Sequence, residues 1–173
     1  MAEMKFLNYT HGQMLQTFCR QTIADLRNNV DTAERLMWVV NEKRELLKKQ
    51  PKLWDPTVSQ ITYMQYLQKL DDVLTKDVSV NKITKLLEEI TSVTRDKIRV
   101  LFLTQEPACW PSLESVFCAA QKNRNFEADL VYTPYFHKNY TEQIDHFPEL
   151  EELGIPVQRA GAYPLTEASP DIV

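Results

Sequence analysis

The stretch Lys97–Pro111, KIRVLFLTQEPACWP, constrains this chain more than any other part of it. An apolar run is followed by a polar loop and then by a helix start at Ser112. That order opens a parallel α/β sheet, in which ligands sit beyond the carboxyl ends of the strands. The pattern continues downstream. Ile98–Thr104 reads as a buried strand and Ser112–Lys122 as a helix with Leu113, Val116, Phe117 and Ala120 inward. Phe126–Thr133 reads as a second strand. Thr141–Leu153 reads as helical with a break at Pro148, and Gly154 as its C′ residue. Ile155–Arg159 is expected to be a short third strand, and Asp171–Val173 the beginning of a fourth. Strands and helices alternating through short links imply βαβ units in one parallel sheet. A sheet that stops at Val173 is expected to be unfinished, with an edge open to pairing.

Residues 1–95 follow a different pattern. They hold one glycine, Gly12, and no strand-like run, and their apolar residues recur at helical spacing. A first helix over about 12–29 places Leu15, Cys19, Thr22, Leu26 and Val30 on one stripe. His11-Gly12 marks its start. Asp31 or Thr32 then caps a second helix with Ala33, Leu36, Met37, Val40 and Leu47 inward. Asp55 as N-cap with Pro56 in the first turn starts a third, carrying Tyr63, Leu67, Leu70 and Leu74. Ser79 caps a fourth, with Ile83, Leu86, Leu87, Ile90 and Val93 on one face. The expected architecture is α/β: a helical bundle over 1–95, then a partial parallel sheet of three to four strands over 96–173.

Composition removes several classes. Twenty Lys and Arg against 24 Asp and Glu give a net charge of −4, which argues against nonspecific nucleic-acid binding. Three glycines in 173 residues leave no Gly-rich phosphate loop. Cys19, Cys109 and Cys118 have no paired spacing and read as reduced thiols of a cytoplasmic protein, not as a disulfide framework. No metal-ligand spacing is visible, so no metal is expected. No apolar run reaches a membrane span, and the first residues carry no signal-peptide segment. The triplets Asn8-Tyr9-Thr10 and Asn139-Tyr140-Thr141 are chance glycosylation matches in that setting.

Two loops carry the candidate chemistry. In Thr104–Ser112, Gln105 and Glu106 can hydrogen-bond a polar substrate, Trp110 can stack on a ring, and a helix begins at Ser112, whose free N–H groups attract anions. The plain alternative makes Ser112 only an N-cap and Trp110 only a cover for the sheet edge. Cys109 near that helix start raises the question of a thiolate nucleophile. A phosphate-loop thiol enzyme needs an arginine closing the loop, and position 115 is Ser, so that reading fails. In the second loop, Thr133-Pro134-Tyr135-Phe136-His137-Lys138-Asn139, aromatics with His and Lys can grip a phosphate or a sugar. No orienting carboxylate accompanies His137 as a base. The run Glu149, Glu151, Glu152 reads as a solvated face, as does Asp71-Asp72. Lys43, Arg44, Lys48, Lys49 and Lys52 form a basic cluster that would need anionic lipid to act at a membrane.

The segments IRVLFLTQEPACWPSLESVFCAA, FEADLVYTPYFHKN, LGIPVQRAGAY and PDIV together resemble the start of the amino-terminal Rossmann domain in the CDP-glycerol glycerophosphotransferase family. The resemblance covers residues 97–173. It implies a GT-B arrangement of two Rossmann-like domains that builds teichoic-acid-type polymers. CDP-glycerol is the donor and a polymer or lipid-linked acceptor is the partner; no separate cofactor is implied. Gln105, Glu106, Trp110, Ser112, Pro134 and Tyr135 would then line the acceptor side of the interdomain cleft. The family's catalytic histidines lie in motifs of a Trp-His-Gly type, which this chain lacks. The catalytic residues are therefore not assigned, and the chain alone is expected to be inactive. Helical amino-terminal extensions in this family help hold its members at the membrane, which implies a peripheral site on the inner face of the cell membrane. The competing expectations are a non-enzymatic interaction or oligomerisation module, homo-oligomers included, and another GT-B transferase that uses a nucleotide sugar.

Overall fold

Asn8 begins the first helix by capping it, its side-chain oxygen accepting the His11 N–H at 2.9 Å. Helix α1 (Tyr9–Arg27) therefore starts three residues before the position expected from its stripe, and His11 and Gly12 fall inside its first turn. The computed structural model describes residues 6–28, 56–76, 79–136 and 142–173, with positions 38, 41, 42 and 45. The expected second helix from Ala33 to Leu47 and the basic cluster Lys43–Lys52 lie largely outside the described residues. So do Val30, Asp55, His137, Lys138 and Asn139. The chain divides into two compact units, Met1–Arg95 and Asp96–Val173.

In the first unit, the second described helix, α2 (Val58–Lys76), follows a reciprocal cap. The Gln60 N–H donates to Thr57 Oγ1 at 3.2 Å, and the Thr57 N–H donates to Gln60 Oε1 at 2.9 Å. This capping box replaces the expected start at Asp55-Pro56, because two orphan amides are satisfied at Thr57. Replacing Thr57 with alanine is expected to cost about 1 kcal/mol, read as a lower urea midpoint with an unchanged slope. Helix α3 (Val80–Val93) starts as expected, with Ser79 Oγ accepting the Lys82 N–H at 3.3 Å.

The three helices bury the stripes that their spacing implies. Leu15, Cys19, Tyr63, Leu67, Leu70, Leu74, Ile83, Leu86 and Ile90 belong to one core cluster. Cys19 is fully buried, and burial pushes its thiol up to about 12, so it serves as a small apolar side chain. His11 joins α1 to α2. Its Nδ1 lies 2.7 Å from Ser59 Oγ, and its ring stacks on Tyr63 with centroids 4.6 Å apart. Leu7 closes the unit from outside the helices. Its N–H donates to Val93 O and its carbonyl accepts from the Arg95 N–H, both at 2.9 Å. No helix among the described residues is long and apolar enough to cross a membrane.

In the second unit, β1 (Ile98–Thr104) and β2 (Phe126–Tyr132) pair in parallel from Ile98↔Phe126 to Thr104↔Tyr132. Helix α4 (Trp110–Lys122) connects them. It begins at Trp110 with Pro111 in the first turn, two residues before the expected start at Ser112. Only Phe117 on this helix is buried. Val116, expected inward, is 58% exposed, since a residue next to Phe117 lies about 100° round the helix.

The segment after β2 departs furthest from expectation. Tyr135–Phe136 (β3) pairs antiparallel with Gln143–Ile144 (β4), where a helix from Thr141 was expected. Helix α5 (Phe147–Glu152) starts only at Phe147, with Pro148 in its first turn. It ends as expected at Gly154, whose φ of +68° suits glycine and whose N–H donates to Glu151 O at 2.9 Å. The third parallel strand, β5, is only Gln158–Arg159. It pairs with Val131 and Tyr132. Helix α6 (Leu165–Ala168) follows, and Ile172 then bridges Val100 in parallel.

The fold is thus α/β: a helical amino-terminal part and a three-stranded parallel sheet of order β1-β2-β5, consistent with a partial Rossmann-like fold. Ile172 lies on the free side of β1. The three strands lie in the order β5-β2-β1, and a single parallel bridge at Ile172 follows beyond β1. One sheet face packs Phe117, Leu130 and Tyr132 with Phe147, Leu150 and Ile155. Arg99 ties in the final segment. Its side chain meets Glu127 through two N–H groups at 2.6 and 3.1 Å, and its N–H donates to Asp171 Oδ2 at 3.0 Å.

Candidate functional site

The ends of β1 and β2 bring the two candidate loops together. The Thr133 N–H donates to Thr104 O at 3.0 Å, which extends the β1–β2 ladder by one bond into the loops. Thr104 is buried, and its hydroxyl donates to Glu106 O at 3.4 Å. Glu106 is half-buried and precedes a single 3-10 turn, Pro107–Cys109. Its carboxylate lies near Tyr135 and is the main cause that raises the phenol above its ordinary value. Residues 29 positions apart in sequence thus meet across the carboxyl edge of the sheet.

The remaining predicted residues divide. Trp110 is half-buried and edge-on to Phe117, with centroids 5.7 Å apart and planes at 63°. Its ring packs against the core cluster and remains partly exposed. Gln105 is exposed beside Glu106. Ser112 is exposed within the first turn of α4, so it is not the cap; that position belongs to Cys109, which makes no side-chain cap bond. Pro134 is half-buried and lines a depression of about 380 Å³ together with Tyr132, Arg159, Ala160, Gly161 and Ala162. The acidic residues Glu149, Glu151 and Glu152 are all exposed.

Sequence reasoning missed Tyr132 and the segment Arg159–Ala162. Tyr132 is fully buried at the end of β2. Its hydroxyl donates to Ile144 O at 3.2 Å and accepts from the His146 N–H at 2.7 Å, holding β4 and α5 beneath the loop. Arg159 ends β5, with Nη1 donating to Asp145 Oδ2 at 2.8 Å. The available signal was Gln158-Arg159-Ala160-Gly161-Ala162: a cation and three small residues directly after a strand, where α/β ligands bind.

The Arg159 hydrogen bond is the leading cause that holds the Asp145 carboxyl below the usual carboxylate range, and the Phe147 N–H adds to it. A depressed native value means that the stabilisation is fully present above the unfolded value of about 3.9 and is lost as pH falls through the folded one. Carboxyl-carbon NMR is expected to show Asp145 titrating below a model aspartate. Arg159→Gln is expected to move it back up, and an unchanged curve would remove the ion pair from solution. No protein-family model, curated protein or solved structure matches this chain.

Proposed function

We infer that this chain is the amino-terminal part of a CDP-glycerol glycerophosphotransferase-like enzyme that makes a cell-envelope polymer. In this reading its sheet edge forms the acceptor side of the interdomain cleft. The observation that carries the reading is the parallel bridge of Ile172 on the free side of β1, which, read as the start of a fourth strand, reverses the strand order there. In open α/β sheets the crevice at such a reversal, beyond the carboxyl ends of the strands, receives the ligand. Glu106 and Tyr135, whose proximity raises the Tyr135 phenol, stand at that edge, and the resemblance of residues 97–173 supplies the reaction class.

In the intact enzyme an acceptor hydroxyl would attack the glycerol-linked phosphorus. A new P–O bond forms as the bond to CMP breaks, and the hydroxyl proton passes to a base. Positioning and charge stabilisation dominate such transfers. The reading gives this chain the acceptor's position: Glu106 and Gln105 to bond its hydroxyls, and Tyr135 to hold Glu106.

The test is a titration of the isotopically labelled chain, followed by amide and indole NMR. A short glycerol phosphate oligomer is expected to shift Glu106, Tyr135 and the Trp110 indole, with a dissociation constant on the order of 1 mM. CDP-glycerol is expected to leave them unmoved. Tyr135→Phe should weaken the oligomer several-fold. A silent cleft would sink the reading. The rival interaction module draws on the exposure of Leu103 (46%) and Ile172 (51%). A defined dimer in sedimentation, with those two residues protected and no response to the oligomer, would favour it.

A further inference from the structure

The depression beyond β2 and β5 adjoins the Glu106–Tyr135 loops through Pro134 and carries a chemistry of its own. Arg159 is the single charged side chain among the described residues that line it. Its guanidinium is fixed in two ways. One N–H is bonded to Asp145, and the group lies over the Phe147 ring at 4.0 Å from the centroid. Phe147 is buried at the start of α5, so the platform belongs to the core. A guanidinium presents five N–H donors in a rigid fork, and the bond to Asp145 uses one of them. The side chain is 47% exposed and lines the depression.

The rest of the lining suits a small ester. Ala160, Gly161 and Ala162 bring backbone close to the opening without bulk, and a Cβ on Gly161 would meet nothing within 4 Å. Tyr132 and Pro134 supply carbon surface. A volume of about 380 Å³ exceeds what a bare phosphate fills, because one water occupies about 30 Å³ of liquid. A planar fork held in place favours an acceptor with two oxygens side by side, as on phosphate.

We propose that Arg159 anchors the phosphoryl group of a small phosphate ester in this depression. The inference stands on the cavity and the fixed guanidinium, not on the transferase reading. Its reporters, the Arg159 Nε–H and the Gly161 amide, differ from those of the Glu106–Tyr135 cleft, so either can fail alone.

The experiment titrates the unmodified chain with inorganic phosphate, glycerol 3-phosphate and CMP at constant ionic strength. Glycerol and cytidine serve as neutral controls. Saturable shifts of Arg159 Nε–H and Gly161 with a phosphorylated probe, absent with the neutral controls, are expected. The stronger of glycerol 3-phosphate and CMP identifies a polyol or a nucleoside as the ester's body. Arg159→Lys, which keeps the charge and loses the fork, should weaken binding at least five-fold, and Arg159→Gln should abolish it. Amides of α5 report whether either variant has disturbed the fold. Unmoved reporters in the unmodified chain, or shifts reproduced by chloride alone, would overturn the proposal.

Discussion

Replacing Gly12 with alanine is expected to destabilise the helical unit by about 2 kcal/mol, the reverse of the usual gain from removing a helical glycine. A Cβ built on Gly12 falls 2.7 Å from Thr94 Cβ and overlaps Thr94 Oγ1 and Cγ2. Carbon atoms in favourable contact sit about 3.5–4.0 Å apart. Neither side can withdraw cheaply. Gly12 lies in the first turn of α1, its N–H bonded to Asn8 O at 3.0 Å. Thr94 is held by its hydroxyl, which donates to Ile90 O at 2.7 Å, and by the Leu7 bonds on either side of it. Overpacking costs about 1–3 kcal/mol, and the helix propensity gained from alanine returns about 1 kcal/mol. The decisive measurement is a double-mutant cycle by urea unfolding. Thr94→Gly should cost less in the Gly12→Ala background than alone, giving a coupling above about 1 kcal/mol. Additive effects would mean that the Thr94 side chain does not approach Gly12 so closely.

Phe117→Ala is expected to remove about 3–5 kcal/mol from the second unit. Phe117 is 2% exposed and is the one buried residue of α4. It lies edge-on to Phe102 at 5.5 Å and to Trp110 at 5.7 Å, so a single ring joins strand β1 to α4 and to the first residue of that helix. Truncation leaves a cavity that helix and strand would have to close together. Hydrogen exchange should show β1 and β2 amides losing protection while α1, α2 and α3 keep theirs. A loss below about 1 kcal/mol would show that the helix repacks around the missing ring. The same variant would free Trp110, so its indole should become more mobile even where the sheet survives.

The parts that were legible share a physical basis. Leu67, Leu70 and Leu74 recur at helical spacing, and their burial follows from that period alone. Ser79 and Gly154 are chemical signals for helix ends, and both act so here. The apolar runs of β1 and β2 announce themselves because both strands are long enough for composition to register. The failures are short or depend on partners. The β3–β4 hairpin has two residues a side, too few for any period, and Glu-Gln-Ile reads as helix from propensity. Val116 looked inward because α4 was taken to bury a full stripe, whereas only the Phe117 row meets the sheet. Ser112 looked like a cap because its type favours one, yet the 3-10 turn at Pro107–Cys109 moved the helix start to Trp110.

The candidate site divides along the same line. Gln105, Glu106, Pro134 and Tyr135 were visible as polar and aromatic residues after strands. That Glu106 lies near Tyr135 was not visible, because parallel pairing of β1 with β2 sets the distance between their loops. Arg159 was hidden for a similar reason, since its value depends on Asp145 and Phe147, which only the β2–β5 pairing brings beside it.

By itself the sequence determined the α/β class, the helical stripes of α1, α2 and α3, and the strands that open the sheet. Each is written in local period, capping chemistry or apolar runs, which act over a few residues. The order of the strands, the bridge of Ile172 to β1, the close approach of Gly12 to Thr94 and the anchoring of Arg159 were settled by tertiary contacts. Those depend on hydrogen bonds and packing between residues far apart in the chain, where many pairings are compatible with the same local pattern and the packed whole selects one.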